Sequence, residues 1–164
     1  MGLDGLRVGI GYDIHRLEPG IPLVLGGVRV EHGSGLKAHS DGDVLAHAIG
    51  DALLGAMGLG DLGAHFPDTD PTLRGVSSLA LLKRIREMLT ERGARILNVD
   101  STLILESPRI APLVGAMRDQ LAGALAVDLT RVSVKATTNE QLGALGRGEG
   151  IAAMAVAMVE GAGR

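Results

Sequence analysis

Residues 151–159 are apolar at every position, and no other stretch limits the possible folds so sharply. Side chains of a strand alternate between its two faces. Ile151, Ala153, Ala155 and Ala157 therefore form one apolar face, and Ala152, Met154, Val156 and Met158 form the other. Each face needs cover. The rest of the chain reads as a strand over 7–13, a hairpin or bulged strand over 21–30 split by Gly26-Gly27, and helices over 41–57 and 77–92. A strand over 96–105, a helix over 109–126, a strand over 131–137 and a turn-rich piece over 139–148 follow. Three-and-four apolar spacing marks the helices, period-two or β-branched runs mark the strands, and Gly or Pro marks the stops. This order implies an α+β fold: a mixed four-stranded sheet plus a small hairpin, with helices on one face. The other sheet face is then bare in a single chain, and a large bare apolar face marks an interface. An obligate homo-oligomer is expected, a cyclic trimer first among the possibilities, unless the last strand is buried on both faces inside one subunit.

A chain of 164 residues with no linker, repeat or low-complexity run suits a single domain over 1–164. A formal net charge of -3 leaves no basic footprint, so nucleic acid is not an expected partner. There is no cysteine, which excludes disulfides and thiolate metal sites and leaves His and carboxylates as the donors for any tightly held metal. The start of the chain lacks a basic-then-apolar pattern and the apolar runs fall short of a membrane span, so a soluble cytoplasmic protein is expected. One Phe, one Tyr and no Trp mean an aliphatic, Ala-rich core with few stacking platforms for bases.

The unusual chemistry gathers around residues 39–47. Ser40 with Asp43 three places on reads as a capping box opening the helix. Val44, Leu45, Ala48, Ile49, Ala52, Leu53 and Met57 make its buried face, while Asp43, His47 and Asp51 follow at four-residue intervals on a polar stripe. Taken alone, that stripe is more simply a solvated helix face. Asp13 and His15 at the end of the first strand point to the same side. With His47 they give two imidazoles and one carboxylate, the donor set of an open catalytic zinc site and equally of a non-haem iron triad, so ligand type leaves the metal open. A second constellation is Lys135-Ala136-Thr137-Thr138-Asn139-Glu140, where hydroxyls and N–H groups beyond a strand end suit phosphate and Glu140 suits a hard cation such as Mg²⁺. Arg147 between glycines can meet a phosphate bidentately or simply pair with Glu149 at the surface. His39 precedes a helix start, which favours anions. The long segment 58–75 reads as a lid or binding loop.

Asp13-x-His15, His39-Ser40-Asp41-Gly42-Asp43 with His47, Asp61-Leu62-Gly63, Phe66-Pro67-Asp68-Thr69-Asp70-Pro71, and Lys135-Ala136-Thr137-Thr138 through Gly146-Arg147-Gly148-Glu149-Gly150 occur together and in this order. In that combination the sequence closely resembles the 2-C-methyl-D-erythritol 2,4-cyclodiphosphate synthase family of the non-mevalonate isoprenoid pathway, from about residue 6 to 159. The resemblance implies a lyase acting by intramolecular phosphoryl transfer. The 2-phosphate of a CDP-linked methylerythritol attacks the β-phosphorus, closes a cyclic diphosphate and expels CMP, with catalysis by positioning and charge neutralisation.

It also implies roles. Asp13, His15 and His47 bind one Zn²⁺ per site, with a β-phosphate oxygen completing its coordination, while His39 and Thr138 align and stabilise the phosphates. Glu140 holds a Mg²⁺ or Mn²⁺ between the phosphates. Ser40, Asp61, Leu62, Gly63 and the loop Phe66, Pro67, Asp68, Thr69 and Asp70 hold the methylerythritol part, with Thr137, Asn139 and Arg147 as further substrate contacts. The nucleotide lies against Leu105, Glu106, Ser107, Pro108, Arg109, Ile110 and Ala111 and against Ala136, Thr137 and Thr138, the two groups coming from neighbouring subunits. The sheets of three subunits pack around a central channel that takes isoprenoid diphosphates in some members, with Arg147 and Glu149 near its mouth. Where members carry a phenylalanine shortly before Gly-Arg-Gly-Glu-Gly, this chain has Ala144, and Glu106 and Arg109 stand where members vary. Two other classes share parts of the pattern. A non-haem iron oxygenase would be separated by metal analysis, and a non-catalytic isoprenoid-diphosphate-binding trimer by an assay for CMP release.

Overall fold

The computed structural model describes residues 5–161. Residues 1–4, on which the expectation of no leader partly rests, lie outside that set, as do 162–164. The elements run β1 (Leu6–Pro19), β2 (Leu23–Leu25), β3 (Val28–Val30), β4 (Ser34–Leu36), α1 (Val44–Ala56), α2 (Leu62–His65), α3 (Ser78–Glu91), β5 (Arg95–Ile104), α4 (Val114–Leu125), β6 (Val132–Thr137), α5 (Gly143–Gly146) and β7 (Gly150–Glu160). The main sheet has the order β4-β1-β7-β5-β6, and β2 and β3 form a separate hairpin. Strand β7 is antiparallel to both β1 and β5, whereas β5 and β6 run parallel. The carboxyl ends of β1, β5 and β6 therefore leave the sheet at the same edge. Four long strands and a hairpin match the expected mixed sheet; the three-residue β4, paired with the end of β1 at Leu17–Pro19, is an addition too short to carry a period.

The apolar run of β7 lies at the centre, between β1 and β5. One of its faces, Ile151, Ala153, Ala155 and Ala157, is buried, and α1 covers it together with the neighbouring face of β1. Gly9 and Gly11 make that cover possible. A Cβ on Gly11 would lie 1.9 Å from the Ala48 carbonyl oxygen, and one on Gly9 2.0 Å from that of Ala52. Bare backbone at these two points lets the helix rest directly on the strand. On the opposite face Val8, Ile10, Tyr12 and Ile14 of β1 stand 46–67% exposed beside Met154 and Val156 of β7. The apolar second sheet face is thus uncovered in one chain.

Several boundaries differ from the sequence reading. Helix α1 begins at Val44, not 41, because its N-cap is Asp43, whose carboxylate accepts the Ala46 N–H; Ser40 instead takes the Gly42 N–H. Asp43 and His47 are buried rather than on a solvated stripe, since α1 is enclosed by the sheet, the hairpin and α3. Gly26 and Gly27 both have positive φ, as a tight hairpin turn of mirror-image type requires, and their N–H groups bond the Asp43 carboxylate at 2.9 and 2.6 Å. The 58–75 segment carries α2 and a 3₁₀ turn at Pro71–Leu73. The expected helix over 109–126 is a 3₁₀ turn at Ala111–Leu113 followed by α4. Among the described residues no helix is long and apolar enough to cross a membrane.

Candidate active site

Beyond Gly9 and Gly11, the next residues on the same face of β1 are Asp13 and His15, which come level with the first turns of α1. His47 meets them there. Asp13 Oδ2, His15 Nε2 and His47 Nδ1 form a triangle with edges of 2.9, 2.9 and 3.1 Å. Donor atoms bound at about 2.0 Å by a tetrahedral zinc lie about 3.3 Å apart. The triangle therefore fits one such ion with a fourth position free, and the two imidazoles, crossed at 81°, converge their nitrogens on one point. Burial works to raise the Asp13 carboxyl, but the hydrogen bonds and charges of His15 and His47 outweigh it and hold it well below its ordinary value. For His47 burial disfavours the charged ring, and the bond to Asp13 with the surrounding carboxylate charge outweighs that, raising its value. The contact between His47 Nδ1 and Asp13 Oδ2 is thus one in which a cation would take the place of the shared proton.

The three residues of the triangle line a cavity of about 410 Å³. Of the residues assigned to substrate or phosphate, His39, Ser40, Leu62, Gly63, Phe66, Pro67 and Asp68 line it. Asp61, Thr69 and Asp70 do not; the Asp61 carboxylate caps α2 through the Ala64 N–H, and that of Asp70 takes the N–H and hydroxyl of Thr72. Asp51, one turn along α1 from His47, lines the same cavity and was not among the assigned residues, although its place on the four-residue stripe pointed there. Its carboxylate accepts the Leu62 N–H at 2.7 Å and so ties α2 to α1. Burial pushes the Asp51 carboxyl up, the Leu62 bond opposing and the charges of Asp61 and Asp13 adding to it.

Leu105, Glu106, Pro108, Arg109, Ile110, Ala111, Ala136, Thr137 and Thr138 line a second cavity of about 500 Å³, with Ser107 exposed in the turn between. The expectation that the 105–111 and 136–138 groups come from neighbouring subunits is corrected here. Both belong to one chain, because β5 and β6 are parallel neighbours and leave the sheet together, joined by the Leu105 N–H to the Thr137 carbonyl at 3.0 Å. Past β6 the chain turns through Glu140 and Gln141, both at left-handed φ. Glu106 braces that turn by accepting the N–H groups of Asn139 and Gln141, a role the sequence did not reveal. Thr138 Oγ1 donates to the Glu140 carboxylate at 3.1 Å. Arg147 pairs with Glu149 at 2.6 Å on the exposed surface, and neither lines the two cavities.

The two cavities share no residue. Three strand spacings of about 4.8 Å separate β1 from β6, so the metal triangle and the Thr137 end lie about 14 Å apart along one sheet edge.

The model of the YgbB family matches residues 6–160. The chain belongs to the YgbB family. A curated relative from Chloroherpeton thalassium, 2-C-methyl-D-erythritol 2,4-cyclodiphosphate synthase, is 56% identical over 155 residues, covering 94% of this chain and 99% of its own. The bifunctional IspDF of Campylobacter jejuni superposes with a TM-score of 0.91 and 42% identity over 95% of this chain, which spans 42% of that longer one. A 2C-methyl-D-erythritol-2,4-cyclodiphosphate synthase in a CDP-bound form gives a TM-score of 0.86 and 39% identity, covering 94% of this chain and all, 100%, of that one.

Proposed function

We propose that the chain is a single-domain 2-C-methyl-D-erythritol 2,4-cyclodiphosphate synthase. The observation that carries this reading is the convergence of Asp13, His15 and His47 on one point in the cavity that His39, Ser40 and residues of α2 also line. The substrate carries its own nucleophile and leaving group. An oxygen of the 2-phosphate forms a bond to the β-phosphorus as the bond from that phosphorus to the CMP phosphate oxygen breaks, and CMP leaves with the electron pair. No water or protein nucleophile enters. Residues Asp13, His15 and His47 would hold Zn²⁺, which supplies charge neutralisation and polarisation at the reacting phosphate worth several kcal/mol. Glu140 would hold Mg²⁺ or Mn²⁺ against the phosphates. His39 and Thr138 hold the two phosphates in line. Ser40, Gly63 and the Phe66–Asp68 stretch enclose the methylerythritol part and keep the long substrate bent, and the 105–111 and 136–138 groups receive the cytidine. The relative solved in a CDP-bound form supports a cytidine nucleotide as a ligand.

The same reading makes the assembly a trimer. The bare apolar face of β1 and β7 would pack against its copies around a channel, with Arg147 and Glu149 near the mouth and an isoprenoid diphosphate as the channel's ligand. Packing of that kind sets the nucleotide cavity of one copy beside the metal triangle of the next, joining two cavities that share no residue in one chain.

The test is turnover of the CDP-linked 2-phosphate substrate with Zn²⁺ and Mg²⁺, followed by ³¹P NMR. The cyclic diphosphate and CMP are expected in equal amounts, and Asp13→Ala lowers their formation by orders of magnitude. A linear diphosphate product would contradict cyclisation. Unchanged turnover in Asp13→Ala would contradict the zinc role, and native protein carrying iron would favour the oxygenase.

A further inference from the structure

His47 has two ring nitrogens, and only one faces the triangle. The other, Nε2, lies 2.9 Å from the Ser78 hydroxyl and 3.0 Å from that of Ser40. Ser78 opens α3 and is 1% exposed. Its hydroxyl lies 2.5 Å from Asp41 Oδ1, and its N–H donates to Asp41 Oδ2 at 3.0 Å. A carboxylate only accepts, and a serine hydroxyl has a single proton. The Ser78 proton therefore goes to Asp41, which leaves Ser78 Oγ an acceptor toward His47 and places a proton on Nε2. Nδ1 is then the nitrogen whose lone pair is free for a cation beside Asp13 and His15. Ser40 can assist, but it lines the cavity and also takes the Gly42 N–H, so its hydroxyl is available to a bound molecule, whereas Ser78 does not line the cavity.

We infer that Ser78, oriented by Asp41, is the positioning residue that fixes the tautomer and ring orientation of His47 for metal binding. Partners of this kind behind a metal-binding histidine change affinity by about 10- to 100-fold. Asp41 also ties its loop to the segment before α3 by donating its N–H to the Val76 carbonyl, and its carboxylate accepts the Asp43 N–H. Ser78→Ala is accordingly the cleaner probe.

The inference rests on the zinc reading, and the experiment separates the two. Zn²⁺ and Co²⁺ affinities of the metal-stripped wild type, S78A and S78T are measured by competition with a chromophoric chelator, with melting curves to confirm folding. S78A is expected to bind about 10- to 100-fold more weakly with an altered Co²⁺ absorption spectrum, and S78T, which keeps the hydroxyl, to stay close to wild type. S78A binding as tightly as wild type, or S78T failing as badly as S78A, would overturn the inference. Should S78A not fold, a long-range ¹⁵N–¹H correlation spectrum of Zn²⁺-loaded wild type decides: ligation through Nδ1 with the proton on Nε2 is expected, and ligation through Nε2 overturns it. A wild type that takes up no Zn²⁺ at the triangle would remove the metal centre and this inference with it.

Discussion

Asp51 lies in the cavity with its carboxyl raised above the ordinary value, chiefly by burial. An unfolded chain ionises such a group near about 3.9. Between that value and the raised one, the folded chain keeps a proton that the unfolded chain has lost. Stability therefore falls as pH rises through this window and carries a constant penalty above it. Asn keeps an acceptor for the Leu62 N–H without the charge. Asp51→Asn is expected to be at least as stable as wild type above the window and to lose that part of the pH dependence, read by urea unfolding at a series of pH values. An unchanged slope would contradict the assignment. At this scale the sequence reached Asp13, His15 and His47, because a period of two puts the first pair on one side, the third lies one turn into a capped helix, and the three complete a metal donor set. It did not reach Ser78, whose bonds to His47 and Asp41 span 31 and 37 positions and leave no spacing to read.

Helix α1 delivers His47 only because β1 is bare where the two cross. Gly11→Ala would force its Cβ against the Ala48 carbonyl, and overpacking of this kind costs about 1–3 kcal/mol or more. We expect a lower denaturation midpoint together with weakened Zn²⁺ binding, since lifting the helix pulls His47 away from Asp13 and His15; full stability with full binding would refute the close approach. The sequence offers two starts for α1. Ser40 and Asp43 are both competent caps, and the choice between them is made by Gly26 and Gly27, which bind the Asp43 carboxylate from a distant hairpin. Helix α2 was hidden because four residues show no period. The brace from Glu106 to the turn at Asn139 and Gln141 likewise joins parts of the chain that only the parallel pairing of β5 and β6 brings together.

For the whole molecule the decisive feature is a sheet with one face filled by α1 and the other left apolar. Both halves were legible in the two apolar faces of β7, but the number of copies was not, because an exposed strip of Val8, Ile10, Tyr12 and Ile14 names no partner by itself; the trimer is what the family resemblance implies. The trimer proposed here puts Ile10 in a subunit interface. Ile10→Asp is expected to shift sedimentation from trimer to monomer and to abolish CMP release while leaving Zn²⁺ binding by each chain in place. A monomeric wild type would contradict the shared site. Central to the account is one ion held by one carboxylate and two imidazoles. The most direct measurement is an anomalous difference map from a Zn²⁺-loaded crystal, recorded at the zinc edge. A peak is predicted within bonding distance of Asp13 Oδ2, His15 Nε2 and His47 Nδ1; a map with no peak there, or a peak reached by only one of the three, would contradict it.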